Sequence, residues 1–412
     1  MRLLYLTALY PAYIRQFYAR RALLELEPYD GQVAALDHDG FAWVGAWPRA
    51  LAGHGFEVSE ILCNVGPLQR TWAWEHDRRL LADGDLRAIT VEQVRRAQPD
   101  VLFFDVYDQP MLREIKRQVP GLRLTIGWVG GTPPDTSMLG DFDLVLSCAP
   151  ESIDWLRGQG LPAGHLQHGF NDAMLGGLEQ GPKRADLAFF GQIVTASSFH
   201  GARERFLERL IDAGMPLEVY SPSYEYNRMD ELAAAARIGA WAGMRTLKRL
   251  RVPEAVIRRV PYVHRALDWS ERPAMPVSAK LKPRMREGKF GLDMLNGIAA
   301  TKVTLNLHAD ASIRFASNMR LFESTGAGGC LLTDWKENIP QLFEPDKEIV
   351  TYRSVEECID KIRWLISRPG QCEAIGRAAQ QRALRDHTYK RRAERLAEIV
   401  RSALSQRDPS LV

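Results

Sequence analysis

Residues 306–334 read NLHADASIRFASNMRLFESTGAGGCLLTD, and their types and spacing suit an anionic ligand that carries hydroxyls. The run predicts a strand, a loop, a helix opening at Ser317 or Asn318, a tight glycine turn at 326–329 and a second strand. A helix N-terminus presents free backbone N–H groups and the positive end of the peptide dipoles, so it suits a phosphate or pyrophosphate. Arg320 in the first turn adds charge-assisted hydrogen bonds to such an anion. Glu323 follows three residues later on the same face, where a carboxylate accepts both hydroxyls of a ribose. The same spacing also suits an ion pair between Arg320 and Glu323, and spacing alone favours that reading.

Such a helix needs strands to hold it. Apolar runs at 3–7, 56–63, 101–105, 123–127, 144–147 and 164–168 predict strands, with amphipathic helices between them. Thr90 and Gln93 read as a capping box ahead of VEQVRRAQ, which Pro99 stops, and Gly53 and Gly55 end an earlier helix. The stretch 169–184, Gly-rich and polar, reads as a linker. A second series follows, with strands at 187–191, 217–220, 302–307, 329–333 and 348–352. Gly214 closes one of its helices, and Ser354 with Glu357 opens another. The predicted fold is α/β, with two Rossmann-like units in one chain and ligands at the carboxyl ends of the strands, in the cleft between them.

The chain has 412 residues, 46% hydrophobic and 25% charged, enough apolar material for two or three cores. That composition excludes a disordered, collagen-like or coiled-coil chain. No apolar run approaches the roughly 20 residues that span a bilayer, so the protein is expected to be cytoplasmic, or peripheral at the inner face of a membrane. The opening MRLLYLTALYPAY imitates a secretory leader, yet no small-residue cleavage site follows and IRQFYARR is polar, so a buried first strand is expected. Cys63, Cys148, Cys330, Cys358 and Cys372 are widely spaced with no C-x-x-C pair, which points to neither a disulfide framework nor structural zinc.

Residues 221–289 interrupt the second series. From 237 to 289 there are fourteen Lys and Arg against four Asp and Glu, a net charge of +10 within a chain whose total is +3. Such asymmetry suits an anionic partner, whether a pyrophosphate ligand or a lipid headgroup surface, and it also suits a solvated helical hairpin. The Pro-rich basic stretch 272–289 is expected to be a loop. Few aromatics are interleaved with these cations and no nucleic-acid module is recognisable, so a nucleic-acid partner is not expected.

The segments NMRLFESTGAGGCLLTD, LFEPDKEIVTYRSVEECIDKIRWLISRPG and IGRAAQQRALRDHTYKRR occur in order and resemble the C-terminal domain of GT-B nucleotide-sugar glycosyltransferases. Within these the chain is most similar to the spore-maturation-protein (CgeB-like) branch of the group 1 transferases. The likeness runs over about 185–395, and LQRTWAWE, QPDVLF and LQHGFND extend it weakly into the first half. The resemblance implies an N-terminal acceptor domain over 1–178, a donor domain over 179–388 carrying the basic insertion, and a last helix, 389–412, that packs back on the first domain. It further implies that Glu323 holds the donor ribose and that Asn318 and Arg320 open the donor helix. Gly191, His200 and Arg203 would flank the pyrophosphate, and Asn306, His308 and Asp310 match the stretch before the helix. His387, Thr388, Tyr389 and Arg392 match the start of the returning helix. One departure stands out: many relatives carry a glutamate eight residues before the ribose-binding one, and here that position is Phe315.

A glycosyltransferase of this kind moves a sugar from a nucleoside-diphosphate sugar to an acceptor hydroxyl. The helix N-terminus, Arg320, His200 and Arg203 would stabilise the leaving diphosphate with no metal and no cofactor beyond the donor. An inverting reaction needs a general base near the N-terminal strand ends. Asp37, His38, Asp39, Asp105, Asp108 and His168 are available, and each also suits a structural role. Asp39, Asp105 and His308 are taken as the catalytic candidates, although His308 by itself suits a core position. The D-x-D triplets at 37–39, 83–85 and 141–143 belong to no ligand cluster, so no metal is expected. Trp43, Trp47, Trp72 and Trp74, with Tyr10, Tyr13 and Tyr18, suit either a stacking platform for the acceptor or core packing. Two other readings fit the architecture: a nucleotide-sugar epimerase or phosphorylase, and a non-catalytic nucleotide-sugar-binding protein, the latter suggested by Phe315.

Overall fold

The computed structural model describes all residues except 132–135, 180, 194–200, 226–227, 270–272, 274, 276, 309–312 and 408–412. Among the described residues twelve strands form two parallel six-stranded sheets. The first contains β1 (Arg2–Thr7), β2 (Glu57–Leu62), β3 (Val101–Asp105), β4 (Leu124–Val129), β5 (Leu144–Ser147) and β6 (Ala163–His165), ordered β2-β1-β3-β4-β5-β6. The second contains β7 (Ala185–Phe190), β8 (Leu217–Ser221), β9 (Met285–Glu287), β10 (Thr301–Asn306), β11 (Leu331–Asp334) and β12 (Val350–Tyr352), ordered β12-β11-β10-β7-β8-β9. Each sheet reverses its winding once, between β1 and β3 and between β7 and β10, and such reversals leave a crevice at the strands' carboxyl ends.

The strands are apolar on both faces because helices cover both. Leu4, Leu6, Leu102 and Phe104 pack under helices on one side of the first sheet, while Leu3, Tyr5, Val101 and Phe103 pack on the other. That second side is closed by the last helix, Tyr389–Arg407, whose Leu396, Ala397 and Val400 join Trp47 and Leu51 in one cluster. The chain therefore returns from the second sheet to the first, as expected.

The crossing is built from named contacts. Phe170 N–H donates to His387 O at 2.7 Å, and Tyr389 N–H donates back to Phe170 O at 3.0 Å. Arg392 Nε donates to His168 O at 2.8 Å and its Nη2 to His387 Nδ1 at 2.9 Å. Because an arginine only donates, His387 Nδ1 accepts, so Nε2 carries the proton and donates to Leu342 O at 2.8 Å. A Cβ on Gly326 would lie 2.1 Å from the Phe170 ring, so only glycine lets the helix Met319–Gly326 meet this crossing.

Three local expectations are corrected. Thr90 is not a cap: the helix Leu86–Ala97 starts four residues earlier, where Asp85 accepts from Arg87 N–H at 2.8 Å, and Thr90 Oγ1 bonds back to Leu86 O. The stretch expected as a linker is packed, with Phe170, Asn171 and Met174 buried and a 3-10 turn over Asp172–Gly177. The stretch 272–289 is not all loop, since β9 pairs with β8 in register Val219 to Met285. Ser354 does cap its helix, accepting from Glu357 N–H at 3.2 Å.

Candidate functional site

At the second sheet's reversal, the ends of β7 and β10 are tied by one guanidinium. Arg203 donates through Nη1 to Gln192 O and through Nη2 to Leu307 O, both at 2.9 Å. Its neighbour Gly191 has no room for a side chain, because a Cβ there would lie 2.9 Å from the Phe189 ring. His200 and Asp310 lie outside the described residues.

The helix Met319–Gly326 opens beside this junction. Asn318 is its N-cap, accepting from Leu321 N–H at 3.3 Å, and its amide pairs with Asn306 at the end of β10, Nδ2 donating to Asn306 Oδ1 at 2.8 Å. Asn306 also donates to Thr333 Oγ1 on β11 at 2.9 Å, so three elements fix the helix start. Arg320 reaches back to β7, where its Nε donates to Phe190 O at 3.1 Å. Its Nη1 meets Glu323 Oε2 at 2.8 Å, so the ion pair that spacing allowed is formed. It is no surface pair: the side chains are only 19% and 17% exposed. An ion pair so sheltered keeps both side chains aimed.

Glu323 faces the first half of the chain. It lines a seam with Gly40, Ala42, Phe170, Asn171 and Tyr389, where the free volume is about 10 Å³. That holds a water and not a ribose.

The first sheet's reversal has the opposite chemistry. Thr7 and Asp105 are register partners, and Asp105 Oδ2 accepts from Tyr5 Oη at 3.1 Å and Thr7 Oγ1 at 3.2 Å. Burial pushes the Asp105 carboxyl up to about 7, against the pull of the two hydroxyls. Tyr10, a few residues beyond the end of β1, is 57% exposed. Its phenol is raised, first by desolvation and then by Glu323 and Asp105, with Arg320 opposing, so both reversals act on one side chain.

Of the other candidates, Asp39 lies elsewhere and His308 shares a cavity with Arg203. Asp39 accepts from Tyr13 Oη at 2.9 Å and from Arg21 Nη2 at 3.3 Å, and lines a groove of about 650 Å³ along the helices Pro11–Ala19 and Gly291–Ala299. Burial raises its carboxyl. His308 is buried under a third cavity of about 560 Å³, its Nδ1 2.8 Å from Asp334 Oδ1 and its Nε2 unpartnered. Burial alone would raise Asp334, but the His308 ring and Lys336 hold it well below the usual carboxylate range. The three residues taken as catalytic are therefore not brought together. Asp37 pairs with Arg49, Asp108 caps the helix Gln109–Gln118, and His38 is exposed at the groove. His168 is sandwiched between Trp43 and Trp128, each 5.4 Å away, and burial lowers its ring to about 3.

Of the two readings open for the early aromatics, burial favours core packing for most: Trp43, Trp47, Trp72, Tyr13 and Tyr18 are buried, and Tyr10 and Trp74 alone of the seven are exposed. Among the described residues no group of three or more His, Cys, Asp or Glu is placed to hold a metal, and no helix is long and apolar enough to cross a membrane. Glu151, which the sequence did not single out, answers Phe315. Its Oε1 reaches from the first half to accept from Arg314 N–H at 2.8 Å and Phe315 N–H at 3.0 Å, while its Oε2 is buried without a partner.

Residues 203–398 match the family model described as glycosyl transferase-like. The chain carries a glycosyltransferase domain. The solved structures of the Anabaena protein HepE, one with UDP and glucose and one with UDP-glucose, are each similar at 13% identity with a TM-score of 0.50. Both matches cover 98% of this chain and 100% of that one. Sucrose-phosphate synthase from Thermosynechococcus elongatus is similar at 10% identity, with the same coverage and a TM-score of 0.51. These likenesses show a GT-B fold. No curated protein matches the sequence. The glycosyltransferase domain includes Arg203, His308, Asn318, Arg320 and Glu323, whereas Asp105 and Tyr10 lie outside the matched span.

Proposed function

We propose that the protein moves a sugar from a nucleoside-diphosphate sugar onto an acceptor hydroxyl, without a metal. The observation that carries this is the sheltered Arg320 and Glu323 pair at the reversal of one sheet, with the buried carboxyl of Asp105 at the reversal of the other. In this reading Glu323 exchanges Arg320 for the ribose hydroxyls. Arg320 and the N–H groups of the helix Met319–Gly326 then meet the diphosphate, where they stabilise the charge that grows on the leaving group. Arg203 keeps the ends of β7 and β10 in place for that contact and is a positioning residue. Asp105, with a carboxyl near neutrality, takes the proton of the acceptor hydroxyl in an inverting displacement. Asp39, which lines a separate groove, and His308, which shares a cavity with Arg203, support their surroundings.

Uridine nucleotides head the list of donors, since HepE is described with UDP-glucose. The spore-maturation branch is supported by the phrases LQRTWAWE and LQHGFND. Work against an anionic membrane face belongs to the same reading, supported by the +10 of residues 237–289.

Thermal stabilisation by a panel of nucleoside diphosphates and their sugars tests the donor site, because a ligand that binds only the folded chain raises its melting temperature. One nucleotide class should stabilise the wild type and lose that effect in Glu323→Ala. Stabilisation that survives the substitution rejects the ribose role. Phe315 favours a second reading, a binding protein without turnover, in which the same nucleotide binds but no acceptor in a broad screen releases free diphosphate.

A further inference from the structure

The basic segment folds as a hairpin with its own small core. Its first leg is the helix Arg228–Arg249, about 33 Å long at 1.5 Å per residue. The chain turns through the short helix Glu254–Ile257 and returns through a 3-10 turn at Val263–Leu267. Ala240, Met244, Ile257 and Ala266 are buried between the legs, with Trp241, Leu247 and Val263 packed against them. The hairpin thus has apolar side chains enough for its own folding, and it still leaves others in water at its turn. Leu250 is 70% exposed, Val256 49% and Tyr262 75%.

The cations divide by position. Most of those near the sheet are paired: Lys280 with Asp212, Lys289 with Asp293 and Arg286 at 4.0 Å from Glu218, all acids of the body, and Lys282 with Glu231 at the base of the hairpin's first helix, while Arg284 has no ion pair among the described residues. Those around the turn are not. Among the described residues Lys248, Arg249, Arg251, Arg259 and Arg265 have no ion pair, and of the turn's cations Arg258 alone meets acids, Glu254 and Asp268. All five are exposed. Charges that merely kept a hairpin soluble would need no apolar neighbours. A site for nucleic acid or a free phosphate would have no use for Leu250 and Val256, since aliphatic side chains gain nothing from a phosphate backbone. Unpaired cations ringing exposed aliphatic and tyrosine side chains match a bilayer interface, where headgroups meet the cations and the acyl boundary takes the apolar groups.

We propose that the turn of this hairpin, residues 248–265, docks the protein on an anionic lipid surface, with Leu250, Val256 and Tyr262 entering the interface and the unpaired cations holding the headgroups. The proposal rests on the membrane-face part of the functional reading and is independent of sugar transfer.

Co-sedimentation of the full chain with vesicles of phosphatidylcholine alone, or with added phosphatidylglycerol, tests it. The wild type should pellet with the phosphatidylglycerol vesicles, less so as salt rises but not to zero, because apolar insertion is not screened. Changing Lys248, Arg249, Arg251 and Arg259 together to Gln should weaken binding by about a hundredfold or more, and changing Leu250, Val256 and Tyr262 to Ser by about tenfold. These side chains are exposed, so both variants should keep the wild-type melting temperature and its response to nucleotide. A dye placed by Val256→Cys, selective because the five native cysteines are buried, should shift to shorter-wavelength emission with vesicles. A wild type that ignores phosphatidylglycerol vesicles overturns the membrane reading whole. Binding that both variants retain, with no dye shift, overturns the assignment to the turn and leaves the membrane reading standing. Equal competition by single-stranded DNA with complete loss in high salt makes the turn a general polyanion site and overturns the proposal. Loss of nucleotide response in the wild type alone would reject the donor site and leave this proposal untouched.

Discussion

The two sheet reversals share a topology and differ in charge. Between β7 and β10 the polar groups include the cations Arg203 and Arg320, with the carboxylate of Glu323 paired to Arg320. Between β1 and β3 the group is a carboxylate, Asp105, served by two hydroxyls and, among the described residues, by no ion pair. The first arrangement is stable in the presence of an anion and the second in the presence of a proton. In the proposed reading, the same winding provides a place for a leaving diphosphate at one reversal and a place for an acceptor's proton at the other. Nothing in the parallel sheet decides which side takes which task; the side chains at the strand ends do.

The comparison breaks first at Asp105. Asp105→Asn keeps the shape and removes the base, so turnover should fall roughly a hundred- to ten-thousand-fold. In the wild type, kcat/KM should rise with pH through about 7, as the carboxyl loses its proton, and this limb should vanish in the variant. Stability moves the other way. The folded carboxyl, raised from 3.8 to about 7, keeps its proton where the unfolded one has lost it, so its contribution to stability is complete below 3.8 and is lost as pH rises towards 7. Asp105→Asn should accordingly melt no lower than the wild type at pH 8. A variant that melts earlier and loses activity in proportion would make Asp105 structural.

A smaller effect is expected at Arg320. Arg320→Met should weaken nucleoside diphosphate about ten- to a hundredfold, the worth of a charge-assisted bond, and leave the nucleoside nearly unaffected. Equal losses for the two, measured by titration calorimetry, would mean that Arg320 acts only through Glu323.

The basic reversal was legible because its parts are neighbours in sequence. Asn318, Arg320 and Glu323 fall within one short helix, and a local motif predicts local geometry. The acidic reversal was not. Asp105 was one of several acids and histidines at the strand ends, and what distinguishes it is burial beside Tyr5 and Thr7, which stand about a hundred residues away. Register alone brings them together. Glu151 is hidden for the same reason, since it bonds to backbone amides more than 160 residues on. Thr90 misled because a capping box is only a pattern until a helix start is placed, and Asp85 is a start just before it. The early aromatics stood between platform and core. Burial decided for core, because the returning helix covers Trp43 and Trp47.

That returning helix holds the two reversals in register, and its seam gives the next test. Gly326→Ala would press a methyl group into the Phe170 ring, and overpacking of this kind costs about 1 to 3 kcal/mol. Urea denaturation should show it, with nucleotide affinity falling alongside because the same helix carries Glu323. Unchanged stability would mean that Phe170 moves aside at no cost and that the seam is looser than its packing indicates.

The smallest effect separates burial from charge at the crossing. His168 and His387 are buried there, and desolvation chiefly lowers their rings to about 3 and about 4 from 6.5. The folded rings stay neutral while the unfolded ones take up protons, so stability is complete above 6.5 and is lost as pH falls towards the folded values. Between pH 7 and 5.5 each ring should account for about 1 kcal/mol. His168→Phe keeps a ring between Trp43 and Trp128 and removes the titration, and no hydrogen bond is lost at Nδ1, which has no partner among the described residues. Urea curves at the two pH values should show the acid loss reduced by that amount in the variant. His387, whose ring bridges Arg392 and Leu342 O, should continue to supply the remainder. If His168→Phe leaves the acid loss unchanged, the ring of His168 meets water in the folded protein, and the crossing opens more readily than the first sheet it covers.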